Sequence, residues 1–195
     1  MKFTARQEEI ILKSMEIIAR EGISALTIKN ISGKVGVSEA ALYRHFKNKD
    51  EILLSILDLF EKRSIDVFDG EFRAGTSDFE NIYNILLKRT RDFMTNPAFV
   101  TIILSEDIFP QDSGLSKKVH EIMKINHDRI CLLVEQGQKK GEIRKDILSE
   151  QFFNLIIGSF RFLAAQWRIS DFGFDLEEKF KETWESLKII SLNRK

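Results

Sequence analysis

The sequence predicts an all-α protein of nine helices. Three observations carry this expectation. Only two prolines and ten glycines interrupt 195 residues. Apolar residues recur at helical intervals, and β-branched residues do not alternate with polar ones as in half-buried strands. A capping side chain followed three positions later by Glu, which marks a helix start, stands at Asn48…Glu51, Ser77…Glu80 and Asp175…Glu178.

In chain order, residues 5–21 read as an amphipathic helix with Ile10, Ile11, Met15 and Ile18 on one face, ended by Gly22. Residues 26–53, LTIKNISGKVGVSEAALYRHFKNKDEIL, read as a helix, a tight turn, a second helix and the start of a third. Leu26, Ile28, Ile31, Val35, Val37, Leu42 and Phe46 are spaced to share one small core. Gly36 falls at the turn, where a positive φ suits glycine, and Ser38 is placed to cap the helix that follows. The fourth helix carries Ile52, Leu53, Ile56, Leu57 and Phe60 and runs to about Val67. A loop with Gly70, Gly75 and Thr76 precedes a helix from Ser77 to about Met94. Asn96-Pro97 separates it from a short helix holding Phe99, Ile102, Ile103 and Leu104. FPQDSG (109–114) breaks the chain again. Helices from about Ser116 to Lys139, from Ser149 to Ser170 and from Asp175 onward complete the count. The predicted organisation is a three-helix headpiece over 1–49, a connecting helix over 48–67, and a larger helical domain over 50–195.

Composition narrows the function classes. Charged residues are 31% and apolar residues 43%, ordinary for a globular protein. No uncharged apolar run is long enough for a membrane helix, so no membrane partner is expected. The opening MKFTARQEEIILK is too acidic for a signal peptide. A single cysteine, Cys131, excludes an internal disulfide and suits a reducing cytoplasm. The net charge is zero, yet residues 1–49 hold nine Lys or Arg against five Asp or Glu, a balance of +4. The remainder carries −4, so the cations gather where a nucleic acid would dock.

Two short helices joined by a glycine turn form a helix-turn-helix, whose second helix enters a DNA major groove. Thr27, Lys29, Lys34, Tyr43, Arg44, His45, Lys47 and Lys49 surround the turn and offer the hydroxyls and cations that bind phosphates. Ser38, Glu39, Ala40, Ala41 and Arg44 lie at or along the second helix, where side chains meet base edges. A solvated basic face would show the same cations; glycine, cap, aromatic and cations at consistent spacing favour DNA.

Leu26-Thr27, Val35-Gly36-Val37-Ser38, Leu42-Tyr43-Arg44-His45-Phe46 and Lys47-Asn48-Lys49-Asp50-Glu51 resemble the TetR/AcrR (tetracycline-repressor) family of bacterial regulators over about residues 8–60. The resemblance implies a TetR-like fold and a homodimeric transcription repressor, released from a palindromic double-stranded operator by a small molecule. It assigns phosphate contacts to Thr27, Tyr43, His45 and Lys49, and base reading to Lys29, Glu39, Ala40, Ala41 and Arg44. Two positions depart from the family pattern. Ser32 replaces a usual alanine, and Ala41 replaces a usual Ser or Thr, which leaves a methyl where a hydroxyl contact is common.

In the larger domain, polar residues on apolar stripes are the effector candidates. Arg89 is in register with Phe93, and His127 with Met123 and Cys131; Arg161 and Gln166 sit on the mostly apolar segment FFNLIIGSFRFLAAQW. With Phe99 and Phe160 they suggest an aromatic-walled pocket for an apolar molecule with an anionic or hydrogen-bonding end, although each could be a satisfied structural group. That same segment is apolar nearly all round, so one face is expected to meet a second subunit. Phe153, Ile157, Phe160, Ala164 and Trp167 are assigned to that face, joined by Phe180, Trp184 and Leu187 of the last helix. No catalytic set, metal-ligand set, phosphate loop or dinucleotide fingerprint is present, so neither an enzyme nor a cofactor is expected. The alternative function is an effector-independent nucleoid-associated DNA-binding protein.

Overall fold

The computed structural model describes residues 3–105, 109–111 and 113–192. Among them are nine α-helices: α1 (Ala5–Glu21), α2 (Ile28–Val35), α3 (Glu39–Tyr43), α4 (Lys49–Glu71), α5 (Asp78–Thr95), α6 (Pro97–Ile103), α7 (Gly114–Lys140), α8 (Ser149–Ile169) and α9 (Leu176–Ser191). The all-α expectation holds. Of the FPQDSG break, Asp112 lies outside the described residues.

The helix boundaries follow from local chemistry. Thr4 accepts from the Gln7 backbone N–H and opens α1, and Gly22 closes it at φ 81°. Glu51 N–H donates to Asn48 Oδ1 at 2.9 Å, Glu80 N–H to Ser77 Oγ at 3.1 Å, and Glu178 N–H to Asp175 Oδ1 at 3.0 Å. All three helix starts expected from the sequence therefore carry their caps. Helix α4 extends past Val67 to Glu71, because Gly70 weakens a helix without breaking it. Pro97 occupies the first turn of α6, where its missing N–H costs nothing.

The chain packs as two compact units, which cut across the 1–49 and 50–195 division. The first comprises Met1–Lys62 and Asn96–His120, the second Arg63–Thr95 and Glu121–Lys195. In the first, Ile10, Ile11, Ile18, Leu26, Ile31, Leu42, Phe46, Ile52 and Ile56 form a buried core. Phe60 of α4 meets Phe99 of α6 at 5.2 Å between ring centroids. Lys118 on α7 donates to Asp58 at 2.8 Å and to Glu61 at 2.7 Å, both on α4. Burial opposes the Lys118 charge, but the two carboxylates outweigh it and raise its pKa.

In the second unit, α5 lies against α8 and α9 through aromatic contacts. Phe79 meets Trp184 at 4.7 Å, Tyr83 stacks on Phe180 at 5.8 Å, and Phe93 stacks on Phe160 at 5.6 Å. Arg91 clamps Glu177 with two bonds of 2.7 and 2.8 Å, and Lys181 adds a third at 2.6 Å. The Arg91 hydrogen bonds, then those of Lys181, lower the Glu177 pKa from 4.5 to about 2. A lowered folded-state pKa stabilises fully above the unfolded value and loses its effect as pH falls toward the folded one. Glu177→Gln is therefore expected to cost about 1 kcal/mol at pH 7, discounted because both cations are half exposed. That deficit should shrink between pH 4.5 and 2, as thermal unfolding of both proteins across that range will show.

Candidate nucleic-acid interface and effector region

Helices α2 and α3 are set by three local devices. Thr27 caps α2 by accepting from the Asn30 N–H at 3.1 Å. Gly36 takes φ 77° and ψ 36°, the left-handed conformation expected of this turn, and its N–H and that of Val37 both reach Ser32 O. Ser38 caps α3 by accepting from the Ala41 N–H at 3.2 Å. Leu42 (0% exposed) and Phe46 (2%) then anchor one side of α3 and its exit in the core.

That anchoring turns the other side outward. Thr27, Lys29, Ser38, Glu39, Ala40, Tyr43, Arg44, Lys47 and Lys49 are exposed, while Ala41 and His45 are half-buried. The Tyr43 ring is 51% exposed, unusual for an aromatic that has a core beside it. Among the described residues, Lys29, Arg44, Lys47 and Lys49 stand in no ion pair with a carboxylate, whereas Lys34 lies 3.6 Å from Glu16 on α1. Four cations, a phenol and the Thr27 hydroxyl therefore face solvent around one short helix. This is the donor set that a phosphate backbone recruits.

The effector candidates scatter more widely. Arg89 is buried on α5 within 3.5 Å of Asn126 Oδ1 on α7, and burial lowers its pKa to about 10, so it remains a cation at neutral pH. Phe93 and Phe160 are brought together. The His127 ring meets Phe153 edge-on at 4.6 Å, and its Nε2 lies 3.5 Å from Cys131 Sγ. Arg161 is half-buried and Met123 is exposed. Phe99 belongs to the first unit, packed on Phe60. Burial pushes the Cys131 thiol pKa up, away from the reactive thiolate.

Most of the residues expected at the subunit contact face the interior of the second unit. Phe160, Ala164, Trp167, Phe180, Trp184 and Leu187 are buried there, with Phe160 packed against Phe93 of α5 and Phe180 of α9, and Trp167 against Phe172. The Trp167 indole N–H donates to Phe174 O at 3.0 Å, which uses its polar end internally. Phe153 and Ile157 are half-buried. The outward stripe is a different one: Leu148 and, on α8, Leu155, Phe162 and Ile169, all exposed and each seven residues from the next. Gly158 and Ala165 lie between them. A seven-residue period in the sequence marks this stripe, whereas overall apolarity marks only the helix.

Among the described residues no three His, Cys, Asp or Glu side chains form a group that could hold a metal ion, and no helix is long and apolar enough to cross a membrane.

Residues 10–56 match the family model described as bacterial regulatory proteins, tetR family. Residues 70–189 match that of the YsiA-like protein, C-terminal region. The HTH-type transcriptional regulator YerO of Bacillus subtilis is 28% identical over 138 residues, which are 68% of this chain and 47% of that relative. The chain thus matches about half the length of that protein. The nucleoid occlusion factor SlmA of Aliivibrio fischeri is 28% identical over 93% of both chains. The structure of the regulator FadR from Bacillus subtilis in complex with stearoyl-CoA superposes with a TM-score of 0.78 at 21% identity, over 94% of this chain and 98% of that one. A glycine-turned, doubly capped helix pair bearing free cations, and family matches over both halves of the sequence, converge on one conclusion: the chain belongs to the TetR family of DNA-binding transcriptional regulators and carries a YsiA-like C-terminal region.

Proposed function

We propose that this regulator is a cytoplasmic homodimeric repressor that leaves a palindromic operator when a small molecule binds its second unit. The observation that carries DNA recognition is the set of unpaired cations around the capped α3. In this reading Thr27, Tyr43, His45, Lys47 and Lys49 hold phosphates, while Lys29, Ser38, Glu39, Ala40, Ala41 and Arg44 line the base edges. The second copy docks on the Leu148, Leu155, Phe162 and Ile169 stripe, with Gly158 and Ala165 permitting close approach.

A long-chain acyl thioester is the effector class we favour. The aromatic contacts of Phe93, Phe160 and Phe153 offer apolar walls, and Arg89 is a buried cation suited to an anionic or carbonyl group. The FadR neighbour in complex with stearoyl-CoA supports this class. The effector weakens operator binding by its differential affinity for the two conformations and no more. The test is fluorescence anisotropy of a duplex selected by the full-length protein, titrated with stearoyl-CoA, coenzyme A or stearate. Release by stearoyl-CoA alone, blunted by Arg89→Met, is expected; release by none of the three rejects the effector class.

A second reading, an effector-independent nucleoid-associated protein, is favoured by the similarity to a nucleoid occlusion factor along 93% of the chain. Genome-wide occupancy separates the two. A repressor occupies a few promoters, and a nucleoid factor occupies many sites away from them.

A further inference from the structure

The N-terminus of α1 contains a side chain with two jobs. Gln7 is the third residue of α1, and its Oε1 accepts from the Thr4 N–H at 3.0 Å and from the Thr4 hydroxyl at 3.2 Å. The Thr4 hydroxyl oxygen in turn accepts from the Gln7 N–H at 3.3 Å, which closes a reciprocal cap. With Oε1 fixed, the amide has one orientation left, and its Nε2 donates to the carbonyl of His45 at 3.3 Å, 38 residues away in sequence. A cap needs only the acceptor. Glutamate supplies an acceptor too, and its charge suits a helix N-terminus better. The extra amino group of glutamine does something that capping does not require.

The carbonyl it holds lies just beyond the end of α3. That helix has five residues, too few to persist without tertiary anchors. Its start is fixed by Ser38 and its body by burial of Leu42 and Phe46. Its exit carries Tyr43, Arg44 and His45, and the carbonyl of the last of these is tied to α1 by Gln7.

We propose that Gln7 is a positioning residue for DNA recognition, holding the exit of α3 in the register that sequence discrimination needs. The proposal rests on the reading that α3 faces DNA. Contacts to base edges demand accurate placement, whereas a cation near a phosphate tolerates a shift. Loss of the Gln7 bond therefore lowers discrimination between sequences more than it lowers general affinity.

The experiment uses the full-length protein, one duplex selected by it from a random pool, and a shuffled duplex of equal length. The readout is the ratio of the two dissociation constants, beside the melting temperature. Gln7→Glu keeps the acceptor for Thr4 and loses the donor. Its added charge weakens both duplexes alike, so the ratio isolates positioning. The expected result is a ratio reduced about three- to tenfold, the worth of one hydrogen bond, with a single cooperative melting transition retained. Gln7→Met, which is neutral, reduces the ratio as well. Thr4→Ala removes the cap hydroxyl but not the donor to His45, so it lowers the melting temperature and preserves the ratio. A wild-type ratio in both Gln7 variants, or a loss in Thr4→Ala as large as in Gln7→Glu, overturns the proposal. Arg44→Ala separates the two failures: if it lowers the ratio while the Gln7 variants do not, only the role of Gln7 falls, and if it too leaves the ratio unchanged, the placement of α3 on DNA falls with it.

Discussion

Replacing Lys47 and Lys49 with alanine in one variant will weaken binding to every duplex by about three to four orders of magnitude at 0.1 M salt and will flatten its salt dependence. Each cation that neutralises a phosphate contributes about 0.9 to the slope of log affinity against log salt. Two lysines in each of two subunits would remove about 3.6 from that slope, and the affinity loss at 0.1 M follows from the same number. Both lysines are exposed and stand in no ion pair among the described residues, so the substitution should leave the folded state intact. Arg44→Ala makes a contrasting prediction. It sits beside the core anchor Phe46 at the exit of α3, and its loss should change which duplexes are preferred. The measurement is a salt titration of affinity for the selected and shuffled duplexes. A double lysine variant with the wild-type slope would remove the phosphate role from these residues.

If the proposed stripe on α8 joins two copies, Phe162→Glu will leave the protein monomeric at micromolar concentration without unfolding it. Phe162 is 66% exposed and Ile169 79%, so the folded subunit gains little from either side chain. In a two-fold interface the same patch meets itself, and one substitution places two carboxylates in a desolvated seam. Separation of the subunits also breaks the pairing of half-sites, which lowers operator affinity by at least a hundredfold. Circular dichroism should match wild type while sedimentation shows half the mass. Phe160→Glu is the control, since Phe160 is packed against Phe93 and Phe180, and a buried carboxylate there should unfold the second unit. A dimer of wild-type mass in Phe162→Glu would place the subunit contact elsewhere.

The two faces of α8 show where sequence reasoning stops. An all-round apolar helix announces two contacts, but which contact lies within the subunit depends on the elements that fold back onto it. Phe93 of α5 and Phe180 of α9 cover Phe160, Phe172 covers Trp167, and the α5 rings Phe79 and Tyr83 pack on Phe180 and Trp184 of α9. The helix-turn-helix was legible for the opposite reason. Its determinants are local: one glycine at φ 77°, the Thr27 and Ser38 caps, and two anchors four residues apart. The Thr4…Gln7 cap was equally open to inspection as T-x-x-Q, but the reach of Gln7 to His45 joins distant segments and leaves no mark in the spacing. The same holds for Glu142, whose carboxylate accepts from the Asp78 N–H at 2.8 Å, and for Lys140, which pairs with the buried Asp78. Within the first unit α6 lies against α1, Phe99 meets Phe60 of α4, and Lys118 pairs with two α4 carboxylates, contacts that a single-helix pattern does not encode.

In the proposed regulator, α3 of each of two copies reads one half of a duplex. Repeated selection from a random double-stranded pool by the full-length protein at low ionic strength tests it directly. The expected result is enrichment of an inverted repeat whose half-sites are centred about one helical turn apart, roughly 34–36 Å or a multiple of it, and loss of that enrichment in Arg44→Ala. A pool that stays random through successive rounds, with no measurable retention of any duplex, would contradict it.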